Sequence, residues 1–457
     1  MSKSTHLSSD FCSLLAGLAY ENINEVVKSG ARRLILDGLA VAMAGSRQEG
    51  PALLRSAFAA EGGPCAVIGG GFACEPLGAA RMNGAAMHVL DFEAMWSPAN
   101  HATSTVLPAI LAAAQLSGAD GRRILTAFVA GVEAQGRVRL ASQMMEPRQF
   151  SFHPPGLVGP IGAAIAAGRV LGLSVLQLRH AIGIAASTCG SLMANVGSMT
   201  KALHCGNATA NGLMAALLAH KGFTANDEIF DVPRGFVGSL VPRLDEDLLC
   251  GTGRPLMIES PGYAIKLFPS QYGTHFCITA ALEAAAQIDD TGAIESVELT
   301  TPDMSYVNRP LPRTGLEGKF SFQYTTAVAL LDRQVVIESF TDERLARQDI
   351  ARLLPRITLV VLPDAPAHFE NMEVALKVRL ADGREIRTRC AAPRGYLTKG
   401  PPLRDDEILG KARNCLGLGL ANAQVEEVIA AAQRIDALSH DEVQRLMKVL
   451  AGGEGAA

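Results

Sequence analysis

The sequence predicts a mainly α-helical protein with a smaller α+β domain inserted between two helical stretches. Three observations carry this prediction. Ala-rich segments with apolar residues recurring at three and four fill the chain up to about Lys266. Alternating, β-branched runs then appear, and helical spacing returns beyond Pro401-Pro402. A chain of 457 residues, 48% hydrophobic and 19% charged, is long enough for two or more domains with substantial cores. The large all-helical domain is therefore placed over 1–266 and 396–457, formed by both chain ends, and the smaller α+β domain over 267–395.

The first helices are expected over Asn22–Ala44, Pro76–Asp91, Ser104–Gln115, Asp120–Ser142, Gly156–Leu171, Val175–Thr188 and Lys201–His220. Turn residues separate them: Gly62-Gly63-Pro64, Gly69-Gly70-Gly71, Pro154-Pro155-Gly156 and Gly172. Residues 181–200 hold no charge and are long enough to cross a bilayer. Their Ser, Thr, Asn and Gly content instead predicts a helix buried in a packed bundle.

In the inserted domain, Ile294–Thr301 and Arg356–Leu362 read as strands. Met372–Leu380 and Arg384–Cys390 flank Ala381-Asp382-Gly383, and Asp-Gly between alternating runs marks a hairpin. Helices are expected over Thr274–Ala286 and Thr325–Leu331, then over Asp405–Cys415, Asn422–Ala432 and Asp441–Leu450. The tail Gly452–Ala457 is expected to fray.

Composition narrows the function classes. With 41 Lys and Arg against 45 Asp and Glu, the chain cannot bind nucleic acid by bulk positive charge. Aromatics make up 5% with a single Trp, Trp96, so base-stacking platforms are not expected. Nine cysteines with no CxxC pair fit a reducing compartment. The opening residues lack a signal-peptide pattern, so a cytoplasmic protein is expected. No GxGxxG follows a strand and no P-loop occurs. Ser198-Met199-Thr200-Lys201 imitates the SxxK of penicillin-binding enzymes, but Tyr306-Val307-Asn308 and Arg313-Thr314-Gly315 lie too close together to be separate walls of one cleft.

Four segments bear chemistry. His88 to His101 ends an apolar helix in Asp91, then runs through Trp96 and Pro98 to His101 at the next helix start. An acid and an imidazole meeting from two helix ends suit acid/base work, although each can also serve as a helix cap. His88 and Asp91 share a helical face, yet no further ligand falls at metal-binding spacing, so no metal is expected. His153 precedes Pro154-Pro155-Gly156, where a helix N-terminus offers an anion site or the His simply packs in a loop. Lys201 is the first charge after twenty uncharged residues and needs a carboxylate partner, a wet pocket or the surface. Lys266 stands where the two textures join, placed to clamp a second carboxylate or to serve as a linker lysine.

Together, HVLDFEAMWSPANH, FHPPG, GSMTKALHCGNATANG, YAIKLFPSQYGTH and GKFSFQYTTAVALLDR resemble the MmgE/PrpD family in content and order. That family includes 2-methylcitrate dehydratase, cis-aconitate decarboxylase and iminodisuccinate epimerase. The resemblance implies a homodimer, an active site between the domains, and catalysis without metal or organic cofactor. It implies catalytic roles for Asp91, His101, His153 and Lys201, and substrate binding by Lys266, Gln271, His204 and Tyr324, with Tyr306 a lesser candidate. Departures are visible. Where the cis-aconitate decarboxylases resemble DFDDTWHPATH, this chain has Ala94, Met95 and Ser97, and Gln271 replaces a His. The expectation is a dehydratase-type lyase acting on a di- or tricarboxylate by proton abstraction beside a carboxylate. Epimerisation, decarboxylation and carboxylate binding without turnover are the alternatives.

Overall fold

The computed structural model describes residues 6–58, 62–145, 149, 151–396 and 400–452. Phe150 and, apart from Gly452, the tail expected to fray lie outside the described residues.

The chain is mainly α. Helices α1 (Leu7–Ala16), α2 (Glu25–Gly45), α3 (Glu49–Phe58), α4 (Pro76–Val89) and α5 (Ala102–Ser117) lead into α6 (Gly121–Ala141), α7 (Pro154–Leu171), α8 (Val175–Ala186) and α9 (Thr200–His220). α7 lies at the centre, against α5, α6, α8 and α9. Small residues permit this. A Cβ at Gly212 of α9 would overlap Ala163 and the Pro160 carbonyl of α7, so the two backbones meet closely only because glycine stands there. α7 starts two residues earlier than its spacing suggests, because Pro154 and Pro155 occupy the first turn, where a missing N–H costs nothing.

Residues 181–200 are not one helix. α8 stops at Ala186, and Ser187 and Thr188 turn their hydroxyls back onto the Gly183 and Ala185 carbonyls. Gly190 and Ser191 then take positive φ, and the segment becomes a loop leading to Lys201. Among the described residues, no helix is long and apolar enough to cross a membrane.

A two-residue hairpin, β1 (Cys65–Ala66) with β2 (Ala73–Cys74), precedes the main sheet. That sheet comprises β3 (Ile294–Pro302), β4 (Ile357–Leu362), β5 (Val374–Leu380) and β6 (Glu385–Cys390) in the order β4-β3-β5-β6. β3 and β4 are parallel; the other pairs are antiparallel, with Leu299 opposite Leu376 and Val378 opposite Ile386. Gly383 takes φ +87° in the β5–β6 turn, as Asp-Gly predicts. Helix Tyr272–Ala285 covers β5 and β6 and packs on helix Phe322–Asp332.

Two apolar cores result. One joins α1–α9 with the C-terminal helices, of which Asp405–Leu416 and Asn422–Gln433 pack on α2. The other fills the α+β part and takes in Met95 and Val196 from the helical part. The chemistry-bearing residues gather where these cores meet.

Candidate active site

The site begins with the turn after α4. Asp91 takes φ +50°, a left-handed conformation that Asp tolerates, so the chain leaves the helix there instead of capping it. Lys411 from the C-terminal helix donates to the Phe92 carbonyl at 2.7 Å and pairs with Asp37 of α2 at 2.6 Å. Asp37 accepts from the Ala94 N–H at 3.0 Å. Met95 exchanges both backbone hydrogen bonds with Ala264, at 3.0 and 2.8 Å. Both chain ends and the segment before Lys266 therefore fix one short turn.

On this turn sit two buried carboxylates. Asp91 Oδ2 lies 3.0 Å from Lys201 Nζ, and Asp91 Oδ1 pairs with Lys266. Burial would raise the Asp91 pKa, but Lys201 and Lys266 outweigh it and hold the carboxyl well below its ordinary value. Glu93 Oε1 lies 2.5 Å from His88 Nδ1 and 3.2 Å from His101 Nδ1. Burial pushes Glu93 upward, and the two imidazoles overcome it. The other nitrogen of His88, Nε2, is 2.7 Å from Lys201 Nζ. A hydrogen-bonded chain thus runs Glu93–His88–Lys201–Asp91–Lys266.

Burial works against protonation of the imidazoles. Burial lowers His88 to about 4, against the pull of Glu93. Burial also lowers His101, and it carries His153 well below 6.5 with help from Lys201. His101 Nδ1 lies 3.2 Å from Glu93 Oε1 without hydrogen-bond geometry, and its Nε2 lies 3.8 Å from Asp91 Oδ1. His153 rests against His204, Nδ1 to Nδ1 at 3.3 Å, and burial lowers His204 to about 4.

A small cavity of about 60 Å³ opens onto Asp91, His101, His153, Lys201, Gln271 and Tyr306. Gln271 Nε2 donates to the Tyr306 hydroxyl at 2.8 Å. Gln271 Oε1 and the Tyr272 hydroxyl are buried there without a protein partner.

The structure therefore brings Asp91, His101, His153, Lys201 and Gln271 around one hollow, with Lys266 and His204 directly behind it. Four expectations are corrected. Lys266 cannot clamp a carboxylate, because its three N–H groups already serve Asp91 O, Asp91 Oδ1 and Ser270 O. The N-terminus of α7 offers no anion site: Pro154 and Pro155 lack N–H groups, and those of Gly156 and Leu157 donate to His153 O. Tyr324 lies in the other core, its hydroxyl donating to the Ser339 carbonyl at 2.7 Å. His204 reaches the cavity only through His153. Ser198 is exposed and donates to the Asn195 carbonyl, so the SxxK reading has no nucleophile in the cavity.

Sequence reading missed three groups. Glu93 stands two residues from Asp91 and five from His88, a spacing that only the positive-φ turn makes useful. His88 shares a helical face with Asp91, yet its contacts are Glu93 and Lys201. Lys319 donates to the Leu90 and Pro269 carbonyls at 3.3 and 3.1 Å, and burial lowers it to about 7. Among the described residues, His88, Glu93 and His101 present ligand atoms within 4.8 Å of one another, a set that can hold a metal ion. The Lys201 ammonium beside His88 opposes a second cation there.

Residues 9–246 match the MmgE/PrpD N-terminal domain and residues 268–436 the MmgE/PrpD C-terminal domain. The chain is 31% identical to cis-aconitate decarboxylase of Mus musculus over 457 aligned residues, covering 97% of this chain and 93% of that protein. It is 33% identical to the Homo sapiens enzyme over 376 residues, 79% of this chain and 77% of that protein. Against the Aspergillus terreus enzyme the identity is 26%, over 97% of this chain and 96% of that protein. With both halves matched across most of its length, the chain belongs to the MmgE/PrpD family.

Proposed function

We propose that this protein is a lyase acting on a small polycarboxylate, by proton transfer at a carbon next to a carboxylate. One observation carries the reading most: His101, its Nδ1 3.2 Å from Glu93 Oε1, lines the same cavity as Lys201. Lys201 uses two of its three N–H groups on His88 and Asp91, which leaves one for a substrate carboxylate. That carboxylate would share the negative charge that develops on the neighbouring carbon. His101 Nε2 takes the proton, and His153 is placed to deliver or remove one on another side. An imidazole with a lowered pKa is a ready donor once protonated. Asp91 is a poor base, since two ammonium groups stabilise its ionised form; its role is to hold Lys201 and Lys266 in place.

The bond broken next defines the lyase. Relatives named as cis-aconitate decarboxylases favour loss of CO₂ over the hydro-lyase expected from sequence. In that reading the carbon–carbon bond breaks, its electron pair stays on carbon, and a proton from an imidazolium replaces the lost carboxylate. The second reading, loss of water, draws on Gln271 Oε1 and the Tyr272 hydroxyl, unpartnered groups able to hold a substrate hydroxyl. Proton NMR in heavy water over a panel of citrate-like and tartrate-like acids tests the proposal. An enzyme of this kind washes deuterium into a C–H of one of them and keeps doing so after chelator treatment. A carboxylate-binding protein without turnover exchanges none. The family resemblance also leads us to propose a cytoplasmic homodimer, which light scattering tests as twice the 48.0 kDa chain mass.

A further inference from the structure

We infer that His88 is a positioning residue: its Nε2 orients the Lys201 ammonium at the cavity, and Glu93 keeps the ring proton on Nδ1. The inference rests on the reading that Lys201 binds a substrate carboxylate.

Two helices place the pair. His88 lies in the last turn of α4 and Lys201 in the first turn of α9. Their backbones approach closely at two glycines. A Cβ at Gly84 would stand 2.6 Å from the Thr209 side chain and 3.1 Å from the Gly206 Cα. A Cβ at Gly206 would stand 2.5 Å from the Arg81 carbonyl oxygen. His88 follows Gly84 by one turn on the same helical face, so the close approach carries it to Lys201.

His88 is buried, and neither it nor Glu93 lines the cavity. Its two nitrogens meet opposite partners: Nε2 is 2.7 Å from Lys201 Nζ, and Nδ1 is 2.5 Å from Glu93 Oε1. An ammonium has donors only, and an ionised carboxylate has acceptors only. Both ends therefore select one tautomer, with hydrogen on Nδ1 and a lone pair on Nε2. Burial lowers the His88 pKa to about 4, which opposes a second ring proton. An uncharged acceptor directs the ammonium without cancelling its charge. Asp91 Oδ2, 3.0 Å from Nζ, is the second fixed point. Lys201 lines the cavity, so a substrate carboxylate meets a cation already aimed from two sides. The His88 ring also packs on those of His101 and His153, with centroids 4.7 and 5.5 Å away. A test must therefore separate the acceptor from the packing.

Nitrogen NMR of the full-length protein, isotope-labelled at histidine, reads which ring nitrogen carries hydrogen. The His88 signals are those lost in His88→Gln. The expected result is hydrogen on Nδ1 and a bare Nε2; a protonated Nε2 overturns the inference. Deuterium incorporation into whichever acid of the panel the wild type labels supplies the kinetic arm. In His88→Leu, which keeps bulk but accepts nothing, kcat/KM should fall at least about 30-fold. The amide of His88→Gln can donate to Glu93 and accept from Lys201, so this variant should exceed the leucine variant at least about tenfold at similar unfolding midpoints. A glutamine variant no better than the leucine one, or both at the wild-type rate, removes the role of His88 and leaves the lyase reading standing. A wild type that labels none of the acids ends the lyase reading, and this role with it.

Discussion

At the scale of single residues, the site is a set of buried charges that tolerate one another because each has a named partner. Lys319 is the member without a carboxylate, and its burial has a measurable consequence. Its folded pKa falls to about 7 from 10.5. Between those values the unfolded chain keeps the proton and the folded chain sheds it. This group's contribution therefore makes stability rise with pH from about 7 to 10.5, with the full burial cost carried below 7. Denaturant titrations at several pH values should show a steeper rise for the wild type than for Lys319→Met, by up to about 1.4 kcal/mol per pH unit. Parallel pH curves would show that the lysine stays protonated. The isolation of Lys201 in an uncharged stretch made its need for a partner legible in sequence. Nothing in spacing showed that Lys266 would spend every donor on Asp91 and Ser270, because saturation of an ammonium is a property of three-dimensional neighbours.

At the scale of elements, the turn from Asp91 to Met95 is the part that others serve. Asp37 on α2 and Lys411 on the C-terminal helix Asp405–Leu416 reach it from opposite ends of the sequence. Removing one member of such a buried pair leaves the other charge unpaired, at a cost of about 3–5 kcal/mol. Lys411→Met should lower stability on that scale in denaturant unfolding and also reduce turnover in the surviving folded fraction. Asp37→Leu combined with Lys411→Met should recover much of the stability, and less of the activity, because the Phe92 carbonyl and Ala94 N–H stay unheld. Element type was readable where a pattern ran long, as for α6, α9 and the β5–β6 hairpin. It failed at residues 181–200, where composition predicts one buried helix but burial is mostly confined to the α8 part, and beyond the turn at Gly190 and Ser191 a loop leaves Leu192, Ala194, Ser198 and Met199 exposed. It also failed at the α7 N-terminus, where proline and backbone bonding remove the donors that a helix start ordinarily shows.

At the scale of the molecule, the cavity lies between two cores and is small. Its volume of about 60 Å³ is well below the roughly 300 Å³ at which ligand pockets begin. A six-carbon acid therefore enters only if the walls part. Arg309 bridges them: it donates to Val196 O at 2.7 Å, lies over the Phe320 ring, and sits against Gly197, where any Cβ would displace it. In Arg309→Ala, hydrogen–deuterium exchange of residues 191–199 should accelerate at least about tenfold without a matching loss of global stability. Unchanged protection would mean that this bridge holds nothing closed. The reading as a whole depends on one proton. In heavy water, with whichever acid the wild type labels, the initial rate of deuterium incorporation should fall at least about 100-fold in His101→Asn while the unfolding transition stays in place. Incorporation at the wild-type rate in that variant would contradict the assignment of His101 as the group that moves it.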